Sequence, residues 1–153
     1  KMRSRRECRE AALQALYLCD AMGDFSTDRL SMYAAYFRAH VDEDDEKASE
    51  QSAELPEFFK EICEGVVAHR ESIDHAISLA STHWSLARMA LVDRNILRIA
   101  VYEMLHRSDV PPKVCINEAI EVAKRFAAPE SSVFINGVLD KVAHQTQVKS
   151  VGA

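Results

Sequence analysis

Apolar residues recur along most of this chain at steps of three and four, and no segment alternates with period two over a useful length. That pattern commits the chain to helices, because a strand with one buried face needs the missing alternation. Only 4 Gly and 4 Pro occur in 153 residues, too few for the tight turns of a hairpin-rich β fold. The fold class read from the sequence is all-α.

Seven helices can be marked. Residues 3–22 place Cys8, Ala12, Ala15, Leu16 and Cys19 on one face, and Gly23 ends the segment. Residues 27–40 follow, with Leu30, Ala34 and Phe37 inward. Residues 42–54 lack apolar period, carry a net charge of −6 and read as an acidic loop or frayed helix end. Pro56 suits the first turn of a third helix, with Phe58, Phe59, Ile62 and Val66 inward. Ile73, Ile77 and Ala80 mark a fourth. The fifth, residues 90–107, is the most apolar, and its stripe of Val92, Ile96, Leu97, Ile99, Val101 and Met104 is wide enough for several neighbours. Pro111 and Pro112 stop it. The sixth aligns Ile116, Ala119, Ile120, Ala123 and Phe126, and the seventh Ile135, Val138, Leu139 and Val142. The length suits a single domain over 1–153, with two packed subunits at roughly 1–70 and 71–147 and no internal repeat.

Several classes of function fall away. No apolar run approaches the ~18–20 residues of a membrane span. The basic N-terminus leads into an amphipathic stretch rather than the apolar core of a signal peptide, so a cytoplasmic location is expected. Cys8, Cys19, Cys63 and Cys115 have no C-x-x-C spacing and read as buried free thiols in a reducing compartment. The six histidines form no H-E-x-x-H or H-x-x-H pair, and no nucleophile elbow, Walker A or dinucleotide motif is present. Glu118 and Glu121 share a helix face but read as a solvated edge. The expectation is a non-enzyme with no cofactor and no metal site.

Charge distribution says more than the net charge of −5. Residues 1–9 sum to +4, residues 1–20 to +2, residues 21–87 to −9 and residues 88–153 to +2. Arg5, Arg6 and Arg9 fall at helical spacing, and arginine forks bind phosphate bidentately and stack on bases. Tyr17, further along, offers a stacking platform. The alternative is a solvated basic helix start, slightly unfavourable against the helix dipole.

Four segments carry a family resemblance: RRECREAALQALYLCD (5–20), VDRNILRIAVYEML (92–105), VCINEAIEVAKRF (114–126) and FINGVLD (134–140). In order and spacing they resemble the NusB family of bacterial transcription antitermination factors, most weakly between residues 24 and 83. The resemblance implies a seven-helix fold of two perpendicular three-helix bundles sharing a long first helix. It also implies binding of single-stranded boxA RNA together with NusE, a small ribosomal-subunit protein. That complex joins the RNA polymerase elongation complex and supports processive transcription of rRNA operons. A NusB-like domain also occurs ahead of rRNA methyltransferases, but a chain ending at residue 153 favours the stand-alone factor.

By the same resemblance, Arg3, Arg5, Arg6 and Arg9 match the arginine-rich opening that meets RNA, and Tyr17 the aromatic of the ALY motif. Lys124 and Phe126 match the end of the sixth helix, Glu130 and Ser131 the segment flanking the RNA groove, and Phe134 the start of F-x-N-G. Arg88, Asp93 and Arg94 fall where the family meets NusE. Phe126 and Phe134 also fit the core by period. Asn117, Asn136 and Gly137 read as structural, the asparagines by bonding backbone and the glycine by letting helices approach. Glu103 reads as a partner for an arginine within the bundle. Ala127 and Val133 stand where the family often has a glycine and a basic residue, which removes one cation from that segment. The acidic stretch is either inert or a cover for the basic surface. Two rival readings remain: a helical protein-interaction adaptor that touches no RNA, and a regulatory homodimer that buries the RNA face.

Overall fold

The computed structural model of the chain describes residues 4–39 and 55–151, with side chains over 4–36 and 55–147. Arg3, the Phe37 side chain and the acidic segment 42–54 lie outside the described residues. Within them run seven α-helices: α1 (Arg5–Met22), α2 (Thr27–Ala39), α3 (Leu55–Ala68), α4 (Arg70–Ala80), α5 (Leu91–His106), α6 (Pro112–Phe126) and α7 (Ser131–Val151). A 3-10 turn, Leu86–Arg88, lies between α4 and α5. The chain divides into two compact units, Lys1–Ala68 and His69–Ala153.

In the first unit, Ser4 starts α1 by accepting a hydrogen bond at Oγ from the Glu7 N–H at 3.2 Å. Gly23 ends the helix at φ +64°, the left-handed conformation that glycine adopts without a Cβ penalty. Its N–H donates to the Asp20 carbonyl at 3.0 Å, and the Asp24 N–H to that of Cys19 at 2.9 Å, so two end carbonyls are satisfied. The Asp24 carboxylate then accepts from the Ser26 N–H at 2.9 Å, and Ser26 Oγ accepts from the Arg29 N–H at 3.2 Å, which starts α2. Hydrogen bonds from Ser26, the backbone N–H first, hold the Asp24 carboxyl below the usual carboxylate range.

α1 packs on α2 and α3, which also meet each other. Cys8, Ala12, Ala15, Leu16 and Cys19 are buried, as the period predicts, and so are Phe58, Phe59, Ile62 and Val66 of α3. Leu30 of α2 is buried, but Ala34 is only half-buried, with Met32 and Tyr36 exposed around it. Among the described side chains of α2, Leu30 alone is fully buried. All four cysteines are free and buried. Burial pushes the Cys8 thiol up to about 12 and the Cys63 thiol higher still, so both are protonated and poor nucleophiles.

In the second unit α5 is the central helix, packed against α4, α6 and α7. Its residues from Asn95 to Glu103 are all buried, three of them polar. Arg98 donates from Nε and Nη2 to the two carboxylate oxygens of Asp74 at 2.8 and 3.0 Å, and from Nη1 to Asn95 Oδ1 at 3.0 Å. Asn95 Nδ2 donates to the Leu91 carbonyl at 2.8 Å. Among the described residues no buried side-chain nitrogen or oxygen lacks a partner, the Glu103 carboxylate included. Cys115, Ile116, Ala119, Val122 and Ala123 form the buried face of α6, with Ile120 and Phe126 half-buried at its margin.

Three assignments need correction. Asn117 is exposed and Asn136 half-buried, so neither is the buried asparagine the sequence suggested; Asn95 is. Gly137 is exposed, and a Cβ added there would meet nothing within 4 Å, so it does not serve a close helix approach. No helix among the described residues is long and apolar enough to cross a membrane.

Candidate functional site

Pro111 and Pro112 set the start of α6, and Ala127–Glu130 connects its end to α7. That connection brings the first turn of α7 against the segment that enters α5. A cleft of about 330 Å³ opens between them, lined by Arg88, Asp93, Glu130, Ser131 and Phe134, with Trp84 and Met89 supplying apolar wall. Residues assigned to RNA from the sequence (Glu130, Ser131, Phe134) thus share one cleft with residues assigned to a protein partner (Arg88, Asp93). Two carboxylates and one guanidinium give the lining a mixed charge with an acidic surplus. Such a lining repels phosphate and suits the mixed side chains of a protein surface.

Arg94 does not line this cleft. Its Nη1 donates to the Leu86 carbonyl at 3.1 Å, tying the 3-10 turn to the first turn of α5. The residue positions Arg88 and Asp93 rather than standing beside them. A second cleft, about 250 Å³, continues along α7 and shares Trp84 and Phe134 with the first. Trp84 is 55% exposed and sits at the end of a short turn in which Ser81 Oγ donates to its carbonyl at 2.9 Å. Sequence reasoning missed Trp84, although a lone tryptophan outside every apolar stripe is itself a signal of a binding surface.

The described arginines assigned to RNA, Arg5, Arg6 and Arg9, lie in the first unit. Arg5 and Arg9 each place the guanidinium carbon over the Phe58 ring, at 4.9 and 5.2 Å from its centroid. Arg9 is only 5% exposed, Arg5 is half-buried and Arg6 is exposed. The basic start of α1 is therefore braced by an aromatic ring of α3, which offsets its unfavourable place on the helix dipole. Tyr17, at 37% exposure, lies on the same helix. At the end of α6, Lys124 Nζ donates to Glu121 Oε1 at 3.2 Å on the surface, and the Arg125 guanidinium lies 5.2 Å from the centroid of the half-buried Phe126 ring. Lys124 and Phe126 line neither cleft.

The NusB family model matches residues 6–144 of the chain. The transcription antitermination protein NusB of Geotalea uraniireducens is 47% identical over 142 residues, covering 93% of this chain and 95% of the relative. Among solved structures, T. maritima NusB superimposes with a TM-score of 0.75 at 33% identity, covering 94% of this chain and 93% of its own. The NusB fold in a solved complex of NusB and NusE with double-stranded RNA superimposes at 0.73 and 24% identity, over 95% of this chain and 99% of that one.

Proposed function

The chain belongs to the NusB family of non-catalytic transcription antitermination proteins, and from that premise we propose that it holds a single-stranded boxA RNA and the small ribosomal-subunit protein NusE on two different surfaces. The RNA surface is the start of α1, where Arg5 and Arg6 neutralise phosphates and Tyr17 stacks a base. The NusE surface is the cleft of Arg88, Asp93, Glu130 and Phe134. Lys124 and Phe126, at the end of α6, are further RNA-contacting residues carried by the second unit. The loaded protein works in the cytoplasm as part of an RNA polymerase elongation complex transcribing rRNA operons.

One observation carries this reading: the chain carries two unlike chemistries, one in each unit. Two arginines at the start of α1, Arg5 braced on Phe58 and Arg6 exposed, serve one, and an aromatic cleft with both signs of charge serves the other. A single phosphate-binding face would not place two carboxylates beside its aromatic ring. The test separates the two. Replacing Arg5 and Arg6 with alanine should abolish boxA binding by the chain alone and leave NusE binding intact. Asp93→Lys with Phe134→Ala should do the reverse. Loss of both ligands from either pair of substitutions, in protein that remains folded, would refute the division.

A further inference from the structure

Gly137 stands in the interior of α7 with no structural need to be glycine. Its φ is not positive, since Gly23 is the one positive-φ residue among those described. A methyl group there would meet no neighbouring atom within 4 Å. Glycine inside a helix costs stability relative to alanine, so a bare position that the fold does not use asks for another cause.

The position has one in its surroundings. Val133, Gly137 and Lys141 follow one another at steps of four along α7, and all three line the 250 Å³ cleft whose opposite wall is Trp84. Val133 is 80% exposed and Trp84 55%, a large apolar exposure for adjoining residues. At the far end, Lys141 makes no ion pair among the described residues. The cleft has a stretch of bare backbone at Gly137, apolar surface from Trp84, Val133 and Phe134, polar groups from Ser81, Thr82 and His83, and one ammonium group.

We propose that this cleft is a docking groove for a protein segment, which lays its backbone against Gly137 and sets a carboxylate on Lys141. Lys141 and His83 are the only titratable side chains in the lining, too little positive charge for a phosphate chain to follow, whereas exposed tryptophan and valine suit a protein partner. The groove is continuous with the Arg88–Asp93 cleft through Trp84 and Phe134. The inference therefore rests on reading that cleft as the NusE surface, and it extends the footprint of the same partner by about two turns of α7.

Gly137→Ala tests it with two readouts of opposite sign. The methyl projects into the groove and into nothing else. Thermal unfolding should shift up by roughly a few degrees, while affinity for NusE should fall at least about tenfold. Lys141→Ala should also weaken NusE binding and flatten its salt dependence. Affinity of the chain alone for single-stranded RNA should not change in either variant. Unchanged NusE affinity in Gly137→Ala would overturn the proposal, and so would a lowered unfolding temperature, which would give the glycine a packing role. Loss of RNA affinity would make the occupant RNA, and a change confined to self-association would make it a second copy of this chain; each overturns it as well. If Asp93→Lys with Phe134→Ala abolishes NusE binding while Gly137→Ala does not, the groove fails and the neighbouring cleft stands. If neither has an effect, both fail together.

Discussion

Arg9 and Arg6 should behave as opposites when each is replaced by alanine. Arg9 is 5% exposed, with its guanidinium 5.2 Å from the Phe58 centroid, while Arg6 is exposed. Arg9→Ala removes a largely desolvated cation–π contact, worth about 2 kcal/mol, together with the packing of the aliphatic stem. A loss of about 1–3 kcal/mol of folding stability follows, a large part of the roughly 5–15 kcal/mol a domain possesses. Arg6→Ala should stay within about 0.5 kcal/mol of the parent. RNA binding should invert the order. Each phosphate contact on a single strand contributes about 0.7 to the slope of log affinity against log salt. Arg6→Ala should therefore flatten that slope by about 0.7, and Arg9→Ala should leave it nearly unchanged once the protein is shown to be folded. Urea denaturation followed at several salt concentrations, beside fluorescence titration of a labelled boxA strand, measures both quantities. Arg9→Ala protein of parental stability with a slope flattened as much as by Arg6→Ala would refute the reasoning, since the guanidinium would then serve phosphate and not Phe58.

Arg98→Met should destabilise the second unit by about 2–3 kcal/mol, because it removes the hydrogen bond to Asn95 Oδ1 and both hydrogen bonds to Asp74. The cost falls below the roughly 3–5 kcal/mol of a fully buried pair, since the Asp74 side chain is 26% exposed and regains some water; an Asp74→Leu partner substitution should recover part of it in urea melts. The His106 imidazole is held below its ordinary range by burial, and further by His69, whose ring stacks on it at 4.0 Å. The unfolded chain thus takes up the His106 proton first as pH falls, so stability from this group is present above about pH 6.5 and declines through and below that value. His106→Gln should lessen the loss of the urea midpoint between about pH 7.5 and 5.5, and an undiminished loss would assign the acid sensitivity to other groups.

How far the sequence could carry the reading depends on which signal each residue obeys. The helices and their inward faces follow from period alone, and Cys8, Leu16, Ile62, Ile77 and Leu139 are buried where spacing puts them. Arg9 was legible in the same way, for it stands four and seven residues before the buried Leu13 and Leu16. Its charge also places it in the row of candidate phosphate binders. A basic residue on the apolar edge of a helix is first a packing problem, which Phe58 solves. The cleft was not legible. Arg88 and Glu130 are 42 positions apart, and only the path from α5 through α6 into α7 brings them together. Gly137 shows the opposite limit. Its type is plain in the sequence, but a glycine that spares a clash and a glycine that leaves a groove open are written with the same letter. Only the empty space above its backbone separates them. That space is bounded by an exposed indole and a lysine with no ion pair among the described residues, and a fold selected for stability alone would have filled it with alanine.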